Sequence, residues 1–168
     1  PKSRRYRGDL TSLSMYRLDI GVAGRRAYID TLFDTGDHAR DLIVTRLATS
    51  LGGNIRPITG VTVTGVGEGR VIGEVDLSFI LVLVDIENGE RVEVVVQRTF
   101  QVMDSLPHQV ILSVRTLSEL GVQPNTAEHE FWMADLPSKE ALASGTHVND
   151  TAVVGREGVV ETKDQKNR

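Results

Sequence analysis

At 168 residues, 40% apolar and 25% charged, the chain suits one domain with a real core, or a smaller domain carrying tails. The absence of Cys removes disulfide frameworks, thiolate zinc sites and cysteine nucleophiles together. A formal charge of −4 leaves no strong nucleic-acid footprint, and the longest apolar run, Phe79 to Val84, is too short to cross a bilayer.

No charged-then-apolar leader opens the chain, so nothing points to secretion. Twenty-two valines with 16 glycines point to a β-rich fold, because β-branched side chains fit a pleated, half-buried surface. Residues 1–13 carry Lys2, Arg4, Arg5 and Arg7 near their start and read as a flexible basic arm, solvated rather than bound to a polyanion. A start at Pro1 rather than Met reads as a segment cut from a longer polypeptide.

Met15 to Ile20 alternates apolar and polar residues, the period of a strand with one buried face. Val22 to Arg25 supplies a turn and Ala27 to Phe33 runs back, which makes a β-hairpin. Leu42-Ile43-Val44 predicts a short strand, followed by a helical turn ending at Gly52-Gly53. Val61 to Thr64 and Val71 to Val84 flank Gly65-Val66-Gly67-Glu68-Gly69, whose three glycines read as a mobile hairpin tip. Glu87-Asn88-Gly89-Glu90 is a second hairpin turn, and Val92 to Val102 continues the sheet. Val110-Ile111-Leu112 is wholly apolar and reads as an inner strand. Arg115 to Leu120 predicts a short helix stopped by Gly121. Phe131-Trp132-Met133 ends one more strand, and residues 134–168 read as a polar, disordered tail.

The residues that can carry chemistry centre on Asp34-Thr35-Gly36, at the end of the apolar strand Tyr28 to Phe33. A carboxylate directly after a buried strand is held in a low dielectric with fixed geometry, where its pKa can be moved. The plainer alternative is an Asp that closes a turn and bonds its own backbone. His38, His108, His129 and His147 lack metal-ligand spacing, so no metal site is expected. Ser105 and Ser113 lie near His108 without a nucleophile elbow, and Gly65-x-Gly67-x-Gly69 precedes no helix. No cofactor is expected either.

Taken in order, these features resemble the retropepsin-like aspartic proteases of retroviruses, long-terminal-repeat retrotransposons and their domesticated cellular relatives. Leu32-Phe33-Asp34-Thr35-Gly36 matches the family's two apolar residues plus Asp-Thr/Ser-Gly. The glycine hairpin Gly65 to Gly69 stands where the family has its flap. Leu106 to Ser113, followed by the helix to Gly121, resembles the family's inner strand and C-terminal helix. The resemblance covers residues 14–133. It implies an all-β fold, a small closed barrel with one short C-terminal helix, and an intracellular aspartic endopeptidase (cytoplasmic or within a virus-like particle). Polyprotein processing is the role it carries.

Two departures stand out: Asp37, followed by His38, occupies the position of a usual Ala, and Ser113 that of a usual Gly. By resemblance Asp37, His38, Val66, Gly67, Leu112 and Ser113 contact a peptide or polyprotein substrate. Aspartic proteolysis needs two carboxylates that share one proton. The chain has one such motif, since Asp104-Ser105 is followed by Leu106, so the resemblance implies a homodimer with two Asp34 side chains across a two-fold axis. Thr35 would hydrogen-bond across that dimer, Gly36 would admit the substrate backbone, and Phe131 and Trp132 would lie in the interface. No nucleic-acid or membrane partner is expected. Two other readings stay open: a retropepsin-like dimerisation or protein-binding module without catalysis, and an unrelated barrel in which Asp34 closes a turn.

Overall fold

Strand alternation sets most of the architecture. In the hairpin of β2 (Met15–Val22) and β3 (Arg25–Phe33), Tyr16, Leu18 and Ile20 point inward while Arg17 stays exposed. The computed structural model describes residues 4–34, 40–58, 62–63, 69–143 and 159–161. A second, longer hairpin joins β7 (Gly69–Asp85) to β8 (Arg91–Met103), with Leu77, Phe79, Leu81 and Leu83 buried along β7. Its turn is the Asn88-Gly89 pair, where Gly89 takes the left-handed φ of 73° that side chains avoid.

Two short strands close the sheet. β4 (Leu42–Val44) and β9 (Val110–Leu112) are buried at every position, as their wholly apolar sequences require. β9 runs parallel to β3 and antiparallel to β4, and β4 runs parallel to β8. The order β7-β2-β3-β9-β4-β8 then returns to β7 through the long hairpin, giving a closed barrel of the all-β type. α1 (Thr45–Ser50) follows β4, and α2 (Val114–Leu120) follows β9 and ends at Gly121, again with a left-handed φ of 75°. β5 (Arg56–Pro57) and β6 (Thr62–Val63) pair with the start of β7. Arg56 fastens this base by gripping both oxygens of Asp76 at 3.0 and 3.1 Å. The glycine tip, residues 64–68, lies outside the described residues.

Segments assigned to flexible ends turn out to be built into the fold. β1 (Tyr6–Asp9) lies between β7 and β11 (Glu130–Met133), and β10 (Gln123–Asn125) borders β11 on its other side. The basic arm is therefore a strand over those residues. Its anchors are long-range: Arg5 donates two hydrogen bonds of 3.0 Å to Asp85, and Leu10 is buried. Gly8 lies against the Phe131 ring so closely that a Cβ would overlap it. That ring packs in turn on Tyr16 and Phe33, with centroids 5.6 Å from each.

Within the stretch read as a disordered tail, α3 (Lys139–Ala143) packs on β8 and buries Leu142. The Ser138 hydroxyl starts it by accepting the Ala141 N–H at 3.1 Å. β12 (Val159–Glu161) pairs with β8 at Val92 to Val94. Among the described residues no helix is long and apolar enough to cross a membrane.

Two outcomes test this packing. Gly8→Ala should lower stability by about 1–3 kcal/mol, the usual cost of overfilling a core, because the enclosed Phe131 ring cannot move aside. An unchanged urea midpoint would show that β1 does not lie on Phe131. The second concerns acid. The Arg5 hydrogen bonds hold the Asp85 carboxyl below the usual carboxylate range. With a folded value below the unfolded one, the clamp is fully stabilising above an unfolded pKa of about 4 and is lost as pH falls through the lower folded value. Denaturation midpoints followed from pH 7 to pH 2 should fall more steeply in the wild type than in Asp85→Asn; parallel curves would argue against the clamp.

Candidate functional site

Phe33, the last residue of β3, points into the main core beside Tyr16. Alternation therefore turns its neighbours Leu32 and Asp34 to the opposite side of the strand. The backbone of Asp34 is fixed there, because its N–H donates to the Leu112 carbonyl at 2.9 Å and extends the β3–β9 ladder by one residue. Asp34 itself is half-buried.

On the Leu32 side lies a second, smaller apolar cluster. Leu32 is in register with Ile111, and Ile111 with Leu42. Leu42, Ile111, Val71 and Met103 are buried in it, and Leu32, Ile58 and Leu106 close it as partly exposed residues. Ile58 reaches it from the loop after β5, held by its N–H to the Ile72 carbonyl at 3.2 Å. A half-buried carboxylate thus stands next to an aliphatic shelf with accessible edges, a combination suited to holding apolar side chains beside a polar reacting group.

Beyond Leu112 the chain enters α2 through Ser113, whose hydroxyl accepts the Thr116 N–H at 3.1 Å. The Ser113 N–H donates to Asp41 Oδ1 at 2.8 Å, and the Thr116 hydroxyl donates to Asp41 Oδ2 at 2.6 Å. Burial pushes the Asp41 carboxyl above its ordinary value, against the opposing pull of those two donors, of the Ser113 hydroxyl and of the Arg98 charge. Arg98, 3% exposed, donates to the Gln97 carbonyl at 2.8 Å and to Glu119 at 3.3 Å, and its own burial draws its guanidinium down.

Of the residues singled out from sequence, Asp34 is described, while Thr35, Gly36, Asp37, His38, Val66 and Gly67 lie outside the described residues. Three assignments change. Leu112 is wholly buried in the main core, so its side chain is not a substrate contact; its neighbour Ile111 is equally buried and lies beneath the shelf, whose reachable residues are Leu32, Ile58 and Leu106. Ser113 is 1% exposed, with its hydroxyl engaged by the helix cap and by the Asp41 carboxyl, so it does not wall a pocket. Phe131 is enclosed by its own chain, and both edges of β11 are already paired with β1 and β10, which makes it a core residue and not an interface one. Trp132 is half-buried, with the Arg4 guanidinium 5.1 Å from its ring centroid. Among the described residues no group of three His, Cys, Asp or Glu could hold a metal ion.

Ile111 and Asp41 escaped the sequence reading. Alternation carried back from Asp34 to Leu32 and across the sheet points to Ile111. Asp41 gives a fainter signal, an acidic residue set directly before the wholly apolar Leu42-Ile43-Val44. The cap assignment has a plain consequence. Ser113→Ala should cost about 1 kcal/mol in urea denaturation and Ser113→Gly only a few tenths through the cap. Equal midpoints for Ser113→Ala and wild type would return the hydroxyl to a role outside the helix.

No protein-family model matches the chain, and no curated protein matches it. Among solved structures the chain is similar to the retroviral protease-like domain of Ddi1 from Leishmania major, at 13% identity and a TM-score of 0.47, over 76% of this chain and 94% of that one.

Proposed function

We propose that the chain is a homodimeric aspartic endopeptidase, in which Asp34 from each of two copies supplies one carboxylate of a water-activating dyad. The position of Asp34 carries this reading: a half-buried carboxylate on the last rung of an inner ladder, beside an aliphatic shelf, within the Asp-Thr-Gly sequence that resembles the retropepsin motif. Two carboxylates in close approach cannot both ionise cheaply, so they share one proton. The ionised Asp34 takes a proton from water as the water attacks the scissile carbonyl. The protonated Asp34 donates to the carbonyl oxygen.

A single motif per chain makes the second copy part of the chemistry. By the retropepsin resemblance, Thr35 would hydrogen-bond across the pair, Gly36 would let the substrate backbone approach, and Val66 and Gly67 would close over the peptide. Leu32, Ile58 and Leu106, the partly exposed edges of the shelf, favour extended peptides with apolar residues flanking the scissile bond. Processing of a polyprotein is the role that fits such an enzyme.

The test is cleavage of an unbiased peptide library at mildly acid pH by wild type and by Asp34→Asn. The variant should lose roughly 10⁴-fold or more in rate, the scale seen when a catalytic group acting in a unit is removed. A statine-type transition-state mimic should bind once per two chains. Cleavage that survives Asp34→Asn, or a strict monomer at high concentration, would sink the reading. A dimer that neither cleaves nor binds the mimic would instead be a protein-binding module.

A further inference from the structure

Both ends of the segment from Asp34 to Asp41 are held by one peptide group. The Leu112 carbonyl accepts the Asp34 N–H at 2.9 Å. The Ser113 N–H, the other half of that same peptide, donates to Asp41 Oδ1 at 2.8 Å. A peptide group is planar and rigid, so the spacing of its carbonyl and amide is constant, and the two ends of the segment are set relative to each other.

Asp41 is bound on every other side as well. Its second carboxylate oxygen takes the Thr116 hydroxyl at 2.6 Å, and its main-chain carbonyl accepts the Gln101 N–H at 2.8 Å. One residue, 6% exposed, therefore ties the end of β9, α2 and β8 together directly before β4. A carboxylate buried to that degree is costly unless its oxygens are bonded, and a lost partner leaves a stranded polar group. The charged group facing it is Arg98 of β8, with Glu119 of α2 bonded to Arg98.

We propose that Asp41 is the positioning residue of the candidate site: locked to Ser113 and Thr116, it holds the Leu112–Ser113 peptide that fixes the Asp34 main chain, and so sets where the Asp34 carboxylate starts from. The consequence for catalysis rests on the endopeptidase reading; the anchoring of Asp34 does not.

The experiment compares Asp41→Ala, Asp41→Asn, Thr116→Val and a control, Leu120→Ala, on the buried face of α2. Hydrogen exchange of the Asp34 amide by NMR, together with kcat and KM on a cleaved peptide, supplies the readouts. Asp41→Ala should speed exchange of the Asp34 amide about tenfold, the equivalent of one lost hydrogen bond. It should lower kcat about ten- to a hundred-fold with KM within about twofold, as expected when a reacting group is misplaced and binding is not. Asp41→Asn, which can accept the Ser113 N–H and donate to the Thr116 oxygen, should restore both values to within a few-fold. Leu120→Ala should lower overall stability and leave both nearly unchanged. Should Asp41→Ala fail to fold, Thr116→Val removes one of the two side-chain anchors and should give the same pattern at smaller amplitude. Equal effects of the Asp41 or Thr116 variants and Leu120→Ala at matched stability, or no rescue by Asn, would overturn the proposal. A wild type that cleaves nothing, yet whose Asp34 exchange still depends on Asp41, would defeat the endopeptidase reading and uphold the anchor.

Discussion

Thr31, Leu32 and Phe33 pair in parallel with Val110, Ile111 and Leu112, and the Asp34 N–H adds one further bond to this ladder. β2 and β3 are neighbours in sequence, and so are β7 and β8, so each hairpin is a local product. β9 comes from far along the chain, and bringing it between β3 and β4 costs loop-closure entropy before any contact rewards it. The reward is burial: Phe33, Ile43, Val110 and Leu112 all lie wholly or almost wholly inside. Without that ladder the barrel does not close, and Asp34 has no fixed place.

The same ladder divides the apolar residues into two sets. Phe33, Val110 and Leu112 point into the large core, while Leu32 and Ile111 point to the small one. A one-residue slip of β9 against β3 would exchange the sets, driving Ile111 toward the aromatic core and Leu112 toward the shelf. The Tyr16–Phe33–Phe131 stack resists such a slip, because Phe33 has aromatic neighbours at 5.3 and 5.6 Å that the adjacent Leu32 cannot stack on. Through Phe131 that stack also carries the side sheet β10-β11-β1, so the N-terminal strand and the candidate site share one aromatic support.

Much of this was legible in the sequence because its causes are local. Period-two alternation marked β2 and β3, Asn88-Gly89 marked the long hairpin, wholly apolar triplets marked β4 and β9, and Gly121 marked the end of α2. β1 was not legible, since Tyr6 to Asp9 shows no alternation and its stability comes from Asp85 and Phe131, remote in sequence. α3 escaped because five residues with Leu142 and Ala143 as the buried pair are too few for a periodic signal. At the candidate site, Asp34 is singled out by the Asp-Thr-Gly motif, a signal carried by three adjacent residues. Leu112 reads as a pocket residue from the order of motifs, yet it faces the main core; Ile111 faces the small cluster but is enclosed too, so the reachable shelf comes from Leu32, Ile58 and Leu106, which no motif marks. Phe131 reads as an interface residue through the family resemblance alone, and what encloses it, Gly8 of β1, is remote in sequence and gives no signal beside it.

Asp34 and Asp41 show why two carboxylates so near in sequence can serve different ends. Asp41 meets Ser113 and Thr116 with one oxygen each, and the Arg98 charge stands by to offset its own. An aliphatic residue there would leave the Ser113 N–H buried without a partner at the entrance to α2, where donors are already in excess. The carboxylate is thus the group that the backbone geometry calls for, and its enclosure keeps it from exchanging roles with anything that binds. Asp34 lies at the other end of the same segment with its main chain bonded and its side chain half-buried on the shelf side. Chemistry on a bound molecule requires a group that is held in direction yet reachable. The fold separates these two properties, giving the closed set of hydrogen bonds to Asp41 and the half-buried position to Asp34, which is the arrangement the proposed endopeptidase would use.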